Sequence, residues 1–518
     1  MDTVHADVIV VGAGSAGCVV AARLAARPHT RVMVLEAGPQ TDERPAPLDN
    51  PNYWGLLNDD VLHERYFWSD LLARPRPGRS RTAYLRGFGL GGSSTVNAMT
   101  AVRGEGETFD NWAQHGILGW SFDQLMPSMK RLENDLDCSA ANYHGGAGPI
   151  PVKRTPLEDW SALDKALRVA ALESGYPWSN DINSPHSTGV SSYPGNLREG
   201  KRVSAYDGYL KPLQHQDNLE IRTDCLVDRI LFVDGRATGV ALAAGEVITT
   251  GEVIICTGAI HSPALLQRSG IGPPELLRAL DVSIVVPLPG VGANLFDHVY
   301  VGASLGLAAA VTNRDPSLRP LNCCVRYSSG MAESGRNDML IHTEYRHGAS
   351  PVGDDDGGID VWLVQPFSRG SIRVQSRHAK DNPAIELNLL DDERDLVRLR
   401  DGWRRLIQLC EQPSFKQITS AQWAGAYDRK LEELANASDE LLDSWIKEHV
   451  LDLAHAMGTC RMGTHKDPVA VVDSFCHVIG VDGLRIIDAS IIPEDPRANI
   501  NLSVIAIAEH AITLTRPR

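Results

Sequence analysis

The chain opens on a stretch suited to holding an anion. Asp7-Val-Ile-Val-Val-Gly12-Ala-Gly14-Ser15-Ala-Gly17 joins a short β-branched apolar run to a Gly-x-Gly-x-x-Gly turn, and the small apolar residues from Cys18 to Ala26 read as a helix. Gly12 permits a tight turn, Gly14 lets a pyrophosphate approach the backbone, and Gly17 lets helix and strand pack closely. The N–H groups at the helix start then face the phosphates. A second apolar run, Arg31-Val-Met-Val-Leu-Glu36, ends in an acid 24 residues after Gly12, which makes Glu36 a candidate partner for an adenosine ribose hydroxyl. A second glycine cluster lies in Tyr84 to Asn97. There Gly87, Gly89, Gly91 and Gly92 allow sharp turning against something flat or anionic, and Ser93, Ser94 and Asn97 offer short hydrogen bonds.

Positioning these residues takes an α/β framework. Glu252-Val-Ile-Ile-Cys256 and Gly483 to Ser490 repeat the buried-strand texture of the N-terminus, and an apolar helix over 502–514 follows. Asp234-Gly235 between apolar runs signals a hairpin. The proline-rich stretch to about residue 80 predicts long loops with a few short turns. Two short helices are expected within 105–133, and a clearer one over 157–172, where Trp160, Leu163, Ala166, Leu167 and Ala170 keep the helical period. The texture then changes. Over 359–365, 370–376 and 384–389 the chain alternates like strands with one wet face, and helices are expected over 392–410 and 430–448. The reading is a Rossmann-like domain plus a discontinuous second α+β domain. Its segments are 1–155, 196–300 and 454–518 for the first, and 156–195 and 301–453 for the second. Asp354 to Gly358 reads as a mobile acidic loop without the ligand spacing of a calcium site, and no metal site is expected.

At 518 residues the chain can bury more than one core. A net charge of −15, from 50 basic and 65 acidic residues, opposes binding to nucleic acid or an anionic membrane. No run is long enough to span a bilayer. Nine scattered cysteines and a first strand entered at Asp7 lead to an expectation of reduced thiols and a cytoplasmic location.

Taken together, the segments resemble the glucose–methanol–choline family of flavin oxidoreductases along nearly the full length. The resemblance rests on Gly91-Gly-Ser-Ser-Thr-Val-Asn97, Gly258 to Pro273, Pro289 to His298, Pro366 to Gly370, Gly458-Thr-Cys-Arg-Met-Gly463 and Gly483 to Ser490. It implies FAD, with pyrophosphate at Gly12, Gly14, Ser15 and Gly17 and ribose at Glu36. The adenine would meet the backbone of Val227, and the flavin loop would supply Gly91, Gly92, Ser93 and Asn97. The isoalloxazine would lie near Asn97, Asp488, Ala489 and the C-terminal helix. Some members link FAD covalently to a histidine one residue before the position of Asn97. Here that residue is Val96, so FAD is expected to bind non-covalently.

Among seventeen histidines, the resemblance points to His455, at the head of His455-Ala-Met-Gly-Thr459, as the base that takes the hydroxyl proton. It places the second catalytic position on Asn501, with Asn499 nearby as an alternative and a further cofactor contact. The implied reaction is oxidation of a primary alcohol to the aldehyde by hydride transfer to flavin N5, with O2 as acceptor giving H2O2. The substrate class implied is an aromatic or heteroaromatic hydroxymethyl compound. Alternatives left open are a dehydrogenase of the choline-dehydrogenase type using another electron acceptor, a non-redox hydroxynitrile lyase, and a flavin-binding module without turnover.

Overall fold

Because strands covered on both faces must be apolar on both faces, the runs rich in Val and Ile assemble into one largely parallel sheet. The computed structural model describes residues 5–40, 44–312, 315–347 and 355–514. His5–Val11 is central, paired in parallel with Val32–Leu35 on one side and Val247–Ile255 on the other. Leu219–Arg222 extends the first edge, and Leu484–Ile486 pairs in parallel with the end of Val247–Ile255. Val227–Val233 and Arg236–Leu242 add an antiparallel hairpin, turned at Asp234 and Gly235 with φ of 47° and 76°. Helix Ser15–Ala25 packs against the last helix, Ile500–Ala511. The pair is fastened by buried Glu509, which accepts from Arg23, Arg131 and the Tyr209 hydroxyl.

The second sheet is antiparallel and runs Arg429–Lys430, Thr419–Ala424, Val299–Leu307, Asp356–Leu363, Met339–Arg346, Cys323–Tyr327, Gly189–Ser192. Helices Ala162–Glu173 and Glu393–Cys410 cover one face. Both start at side-chain caps, Ser161 with Asp164 in a capping box and Asp392 on the Arg394 N–H.

Several sequence expectations need correction. The helix expected over 157–172 is a single 3₁₀ turn, Leu157–Asp159, and a helix restarted by the Ser161 cap. The helix expected over 430–448 is two, Glu432–Ala435 and Asp439–His449, the second capped by Ser438. Asp356–Gly358 open a strand, while Asp354 lies outside the described residues. Asp356–Leu363 has no wet face, since every residue in it is buried. Asp360 and Trp362 on it line an internal cavity. Among the described residues no helix is long and apolar enough to cross a membrane.

The segment after the Gly91–Asn97 loop is held by a buried ion network. His144 bridges Glu133 through Nδ1 and Asp181 through Nε2 (2.8 Å), while Arg103 pairs with Glu133 and Arg154 with Asp135 and Asp181. Burial works against the imidazolium, but the Asp181 and Glu133 carboxylates outweigh it and lift His144 to about 9. The folded state thus holds a proton that the unfolded chain releases near pH 6.5. Its stabilisation is complete below that pH and is lost as pH rises through about 9. His144→Ala removes one partner each from Glu133 and Asp181, which keep Arg103 and Arg154, so urea unfolding at pH 7 should show a loss of roughly 1–3 kcal/mol. The gap between variant and wild type should narrow by pH 10, and an unchanged gap would show that the network does not depend on that proton.

Candidate active site

One cavity of about 630 Å³ is lined from both sheets. At its first end the N-terminal turn supplies Gly12, Gly14 and Ser15. A Cβ at Gly17 would stand 1.9 Å from the Gly12 carbonyl oxygen, so the helix can approach the strand only with glycine there. Gly14 differs, since a Cβ at that position would meet nothing within 4 Å and would project into open space beside the helix N-terminus. The flavin loop closes over it, with a Gly92 Cβ falling 2.9 Å from the Gly14 Cα. Gly92, Ser93 and Asn97 line the cavity, whereas Gly91, with φ of 87°, shapes the loop from behind. Arg202 holds this loop by donating to the Asn97 carbonyl oxygen and to Oδ1.

Glu36, Val227, Asp488 and Ala489 also line the cavity. The Glu36 carboxylate accepts from the Ala13 and Gly38 N–H groups at 2.7 and 2.9 Å, and burial raises its pKa against those bonds. Asp488 accepts from the Gly258 N–H and the Ser262 hydroxyl, which fixes the turn at the end of Val247–Ile255. Val96 is buried beside Leu48, Leu62, Tyr66 and Phe67. An open glycine turn at a helix start, a buried ribose-type acid and an apolar slot fit a bound FAD.

At the other end stands His455, whose surroundings fix its proton. Asp495 accepts from His298 Nε2 (2.8 Å), and His298 Nδ1 lies 2.9 Å from His455 Nδ1. With His298 donating through Nε2 to a carboxylate, its Nδ1 is left as an acceptor. His455 must therefore donate through Nδ1, leaving the Nε2 lone pair for the cavity. The His455 backbone N–H is held by Asp297 at 2.7 Å, and Asp297 also accepts from the Tyr84 hydroxyl. Burial, with the nearby Arg86 adding to it, pushes the His455 pKa well below the usual histidine value. The ring is neutral at ordinary pH.

Asn501 and Asn499 both reach the cavity but in different surroundings. Asn501 Oδ1 accepts from Ser15 Oγ at 2.7 Å, within the pyrophosphate turn. Asn499 immediately precedes the last helix without a side-chain cap bond, and its Oδ1 accepts from the Tyr193 hydroxyl at 2.7 Å. Tyr193 neighbours His342, which stacks edge-on with Trp362, and Trp362 lies 6.2 Å from His455. Asn501 is thus tied to the phosphate turn, and Asn499 to Tyr193. Asn501 lies in the first turn of helix Ile500–Ala511, whereas Asn499 precedes it with φ −52° and ψ 121°, so the two side chains leave in different directions.

Sequence reasoning gave no role to His298, Asp495 or Tyr193. His298 does sit in the quoted Pro289–His298 motif, but its partner Asp495 lies 197 residues away. His449 stacks on Trp445 and His477 faces Asp473, while His465 is exposed; none lines the cavity.

Gly14→Val should leave the chain folded, because no protein atom lies within 4 Å of the new Cβ. It should nonetheless fill the space into which a pyrophosphate fits. The expected result is soluble protein with a flavin-to-protein absorbance ratio near zero; near-full occupancy would place the phosphates elsewhere.

Two family models of GMC oxidoreductases match this chain, one over residues 6–300 and the other over 366–508. An oxygen-dependent choline dehydrogenase of Pectobacterium atrosepticum is 33% identical over 99% of this chain and 95% of its own length. A 5-(hydroxymethyl)furfural oxidase of Methylovorus sp. is 33% identical over 98% of both. Among solved structures, the pyridoxine 4-oxidase of Mesorbium loti is similar with a TM-score of 0.86 and 29% identity, covering 97% of this chain and 98% of that one.

Proposed function

Because the chain belongs to the GMC oxidoreductase family, FAD-dependent enzymes acting on CH–OH groups, we propose that it oxidises a primary alcohol carried on an aromatic or heteroaromatic ring to the aldehyde, with O2 as acceptor. The observation that carries this reading is the neutral His455, its Nε2 turned to the same cavity that the glycine turns open to. Relatives named for 5-(hydroxymethyl)furfural and pyridoxine support the ring-bearing substrate.

FAD, when bound without a covalent link, supplies the two-electron oxidant. The chain's residues handle the proton and the oxygen. His455 Nε2 takes the hydroxyl proton, and the charge it gains is met through His298 by Asp495, as a carboxylate supports a base in other relays. Asn499 is the better partner for the substrate oxygen than Asn501. The Tyr193 hydroxyl occupies Asn499 Oδ1 and so leaves its NH₂ to donate. Asn501 keeps a different task, orienting Ser15 at the phosphate turn.

Stopped-flow anaerobic reduction of the bound flavin by a ring-bearing primary alcohol tests these roles. His455→Ala should retain FAD and slow reduction by about 10²–10⁴-fold. Asn499→Ala should cost about 10²–10³-fold, while Asn501→Ala should chiefly weaken FAD retention. Loss of reduction rate in FAD-replete Asn501→Ala, with Asn499→Ala near the wild-type rate, would return the role to Asn501.

The pH profile follows from the neutral ring. The lowered pKa puts its protonation below the usual histidine range, so the wild-type rate should be level from about pH 6.5 to 9 and fall only in acid. A rise through neutrality would show a different ionisation in control. Acid precipitation should release intact FAD to the supernatant, and flavin retained in the pellet would overturn non-covalent binding. Oxygen uptake on adding alcohol separates O2 from another acceptor.

A further inference from the structure

The face of the antiparallel sheet turned from its helices is polar although it is buried. In register across three strands stand Tyr300, Trp362 and Leu340, then Gly302, Asp360 and His342, then Gly358 and Glu344. Two glycines make this arrangement possible. A Cβ at Gly302 would stand 1.8 Å from Asp360 Oδ1, and one at Gly358 would stand 1.9 Å from Arg346 Nη2. Sheet positions normally filled by side chains have been cleared for a carboxylate and a guanidinium.

The charges do not balance. Glu344, Asp360 and Asp452 line the cavity, and Asp356 lies just behind, 4.0 Å from Arg346. Arg346, which donates to Glu344 at 3.2 Å, is the cation beside that group, and Arg86 stands toward Asp297 and Asp452. Burial and the Glu344 charge push Asp360 well up, and burial with Asp297 does the same to Asp452. Such carboxylates gain from a cation brought to them.

A second observation points to the ligand. His342 is 2% exposed and lines the cavity, yet its Nε2 has no hydrogen-bond partner. His342 Nδ1 is 3.3 Å from the Thr343 carbonyl, so it carries the hydrogen and leaves Nε2 an acceptor, 3.9 Å from Asp360. Burial keeps that ring neutral. The subsite therefore offers carboxylate oxygens and a ring lone pair, walled by Tyr53, Tyr300 and Trp362. Acceptors of this kind call for N–H donors on a cation, with the aromatic faces adding to the attraction. A quaternary ammonium would leave them unpaired.

We infer that this end of the cavity binds a protonated amine or protonated ring nitrogen, so that the alcohol oxidised at His455 carries such a group across the width of Trp362. The inference rests on the alcohol-oxidase reading above and narrows its substrate.

The test uses the FAD-loaded enzyme at pH 7 and a matched set of 4-substituted benzyl alcohols bearing methyl, aminomethyl, trimethylammoniomethyl or carboxylate. Anaerobic flavin reduction should be roughly 10–100-fold more efficient, as rate over dissociation constant, for the aminomethyl compound than for the methyl one. The trimethylammonium and carboxylate compounds should fall below the aminomethyl compound. Asp360→Asn should collapse the aminomethyl-to-methyl ratio to near unity. Binding is read separately, from flavin difference spectra of the wild type with 4-methylbenzylamine against 4-methylbenzyl alcohol, which needs neither turnover nor a variant. A ratio near unity in the wild type for both rate and binding overturns the subsite. Equal use of the trimethylammonium compound overturns the N–H acceptor assignment. If no alcohol reduced the flavin while the amine still bound about tenfold tighter, the subsite would stand and the alcohol-oxidase reading would fall.

Discussion

No side chain can stand at position 17. A Cβ there would lie 1.9 Å from the Gly12 carbonyl oxygen, and Gly12 itself, at φ 94°, sits 2.7 Å from Cys256 O by the same measure. Strand, turn and helix are thus packed backbone on backbone. The consequence is a helix N-terminus held rigidly over the ends of His5–Val11 and Val247–Ile255, with its free N–H groups facing a cavity. The second glycine loop then closes on the first, Gly92 against Gly14. Segments from opposite ends of the chain meet there because helix Ile500–Ala511 packs against Ser15–Ala25 and brings Asn499 and Asn501 with it.

The same frame sets the chemistry of His455. A lone buried histidine is neutral and can carry its proton on either nitrogen. Here Asp495 chooses, acting through His298, and the tautomer that results presents a lone pair to the cavity. The backbone of His455 is anchored separately by Asp297. Orientation and protonation are therefore set by different carboxylates on different segments. The low pKa comes chiefly from burial, with Arg86 adding to it, so the group is a base without waiting for a rise in pH.

The antiparallel sheet shows what a buried polar face can mean. Its alternation of apolar and polar residues is that of a strand with one side in water, yet Asp356–Leu363 is buried throughout. Polar side chains there face other protein groups across a cavity. Their hydrogen bonds have to be met by the chain or by what the cavity takes in. Tyr53 meets Glu344, while His342 and Trp362 keep unmatched nitrogens.

Much of the molecule was legible in the sequence. The glycine turn, the acid that ends the second strand, the hairpin at Asp234-Gly235 and the long amphipathic helix Glu393–Cys410 all follow from local rules of φ, period and capping. The motif order identified the family and singled out His455. Local rules could not separate Asn499 from Asn501, since both sit at one helix start and only the packing of that helix decides which faces Ser15 and which faces Tyr193. Nor could they pair His298 with Asp495, or tell an internal polar face from a wet one. Periodicity records which residues share a side of a strand, but what lies against that side is a contact between distant segments, and only the tertiary structure decides it.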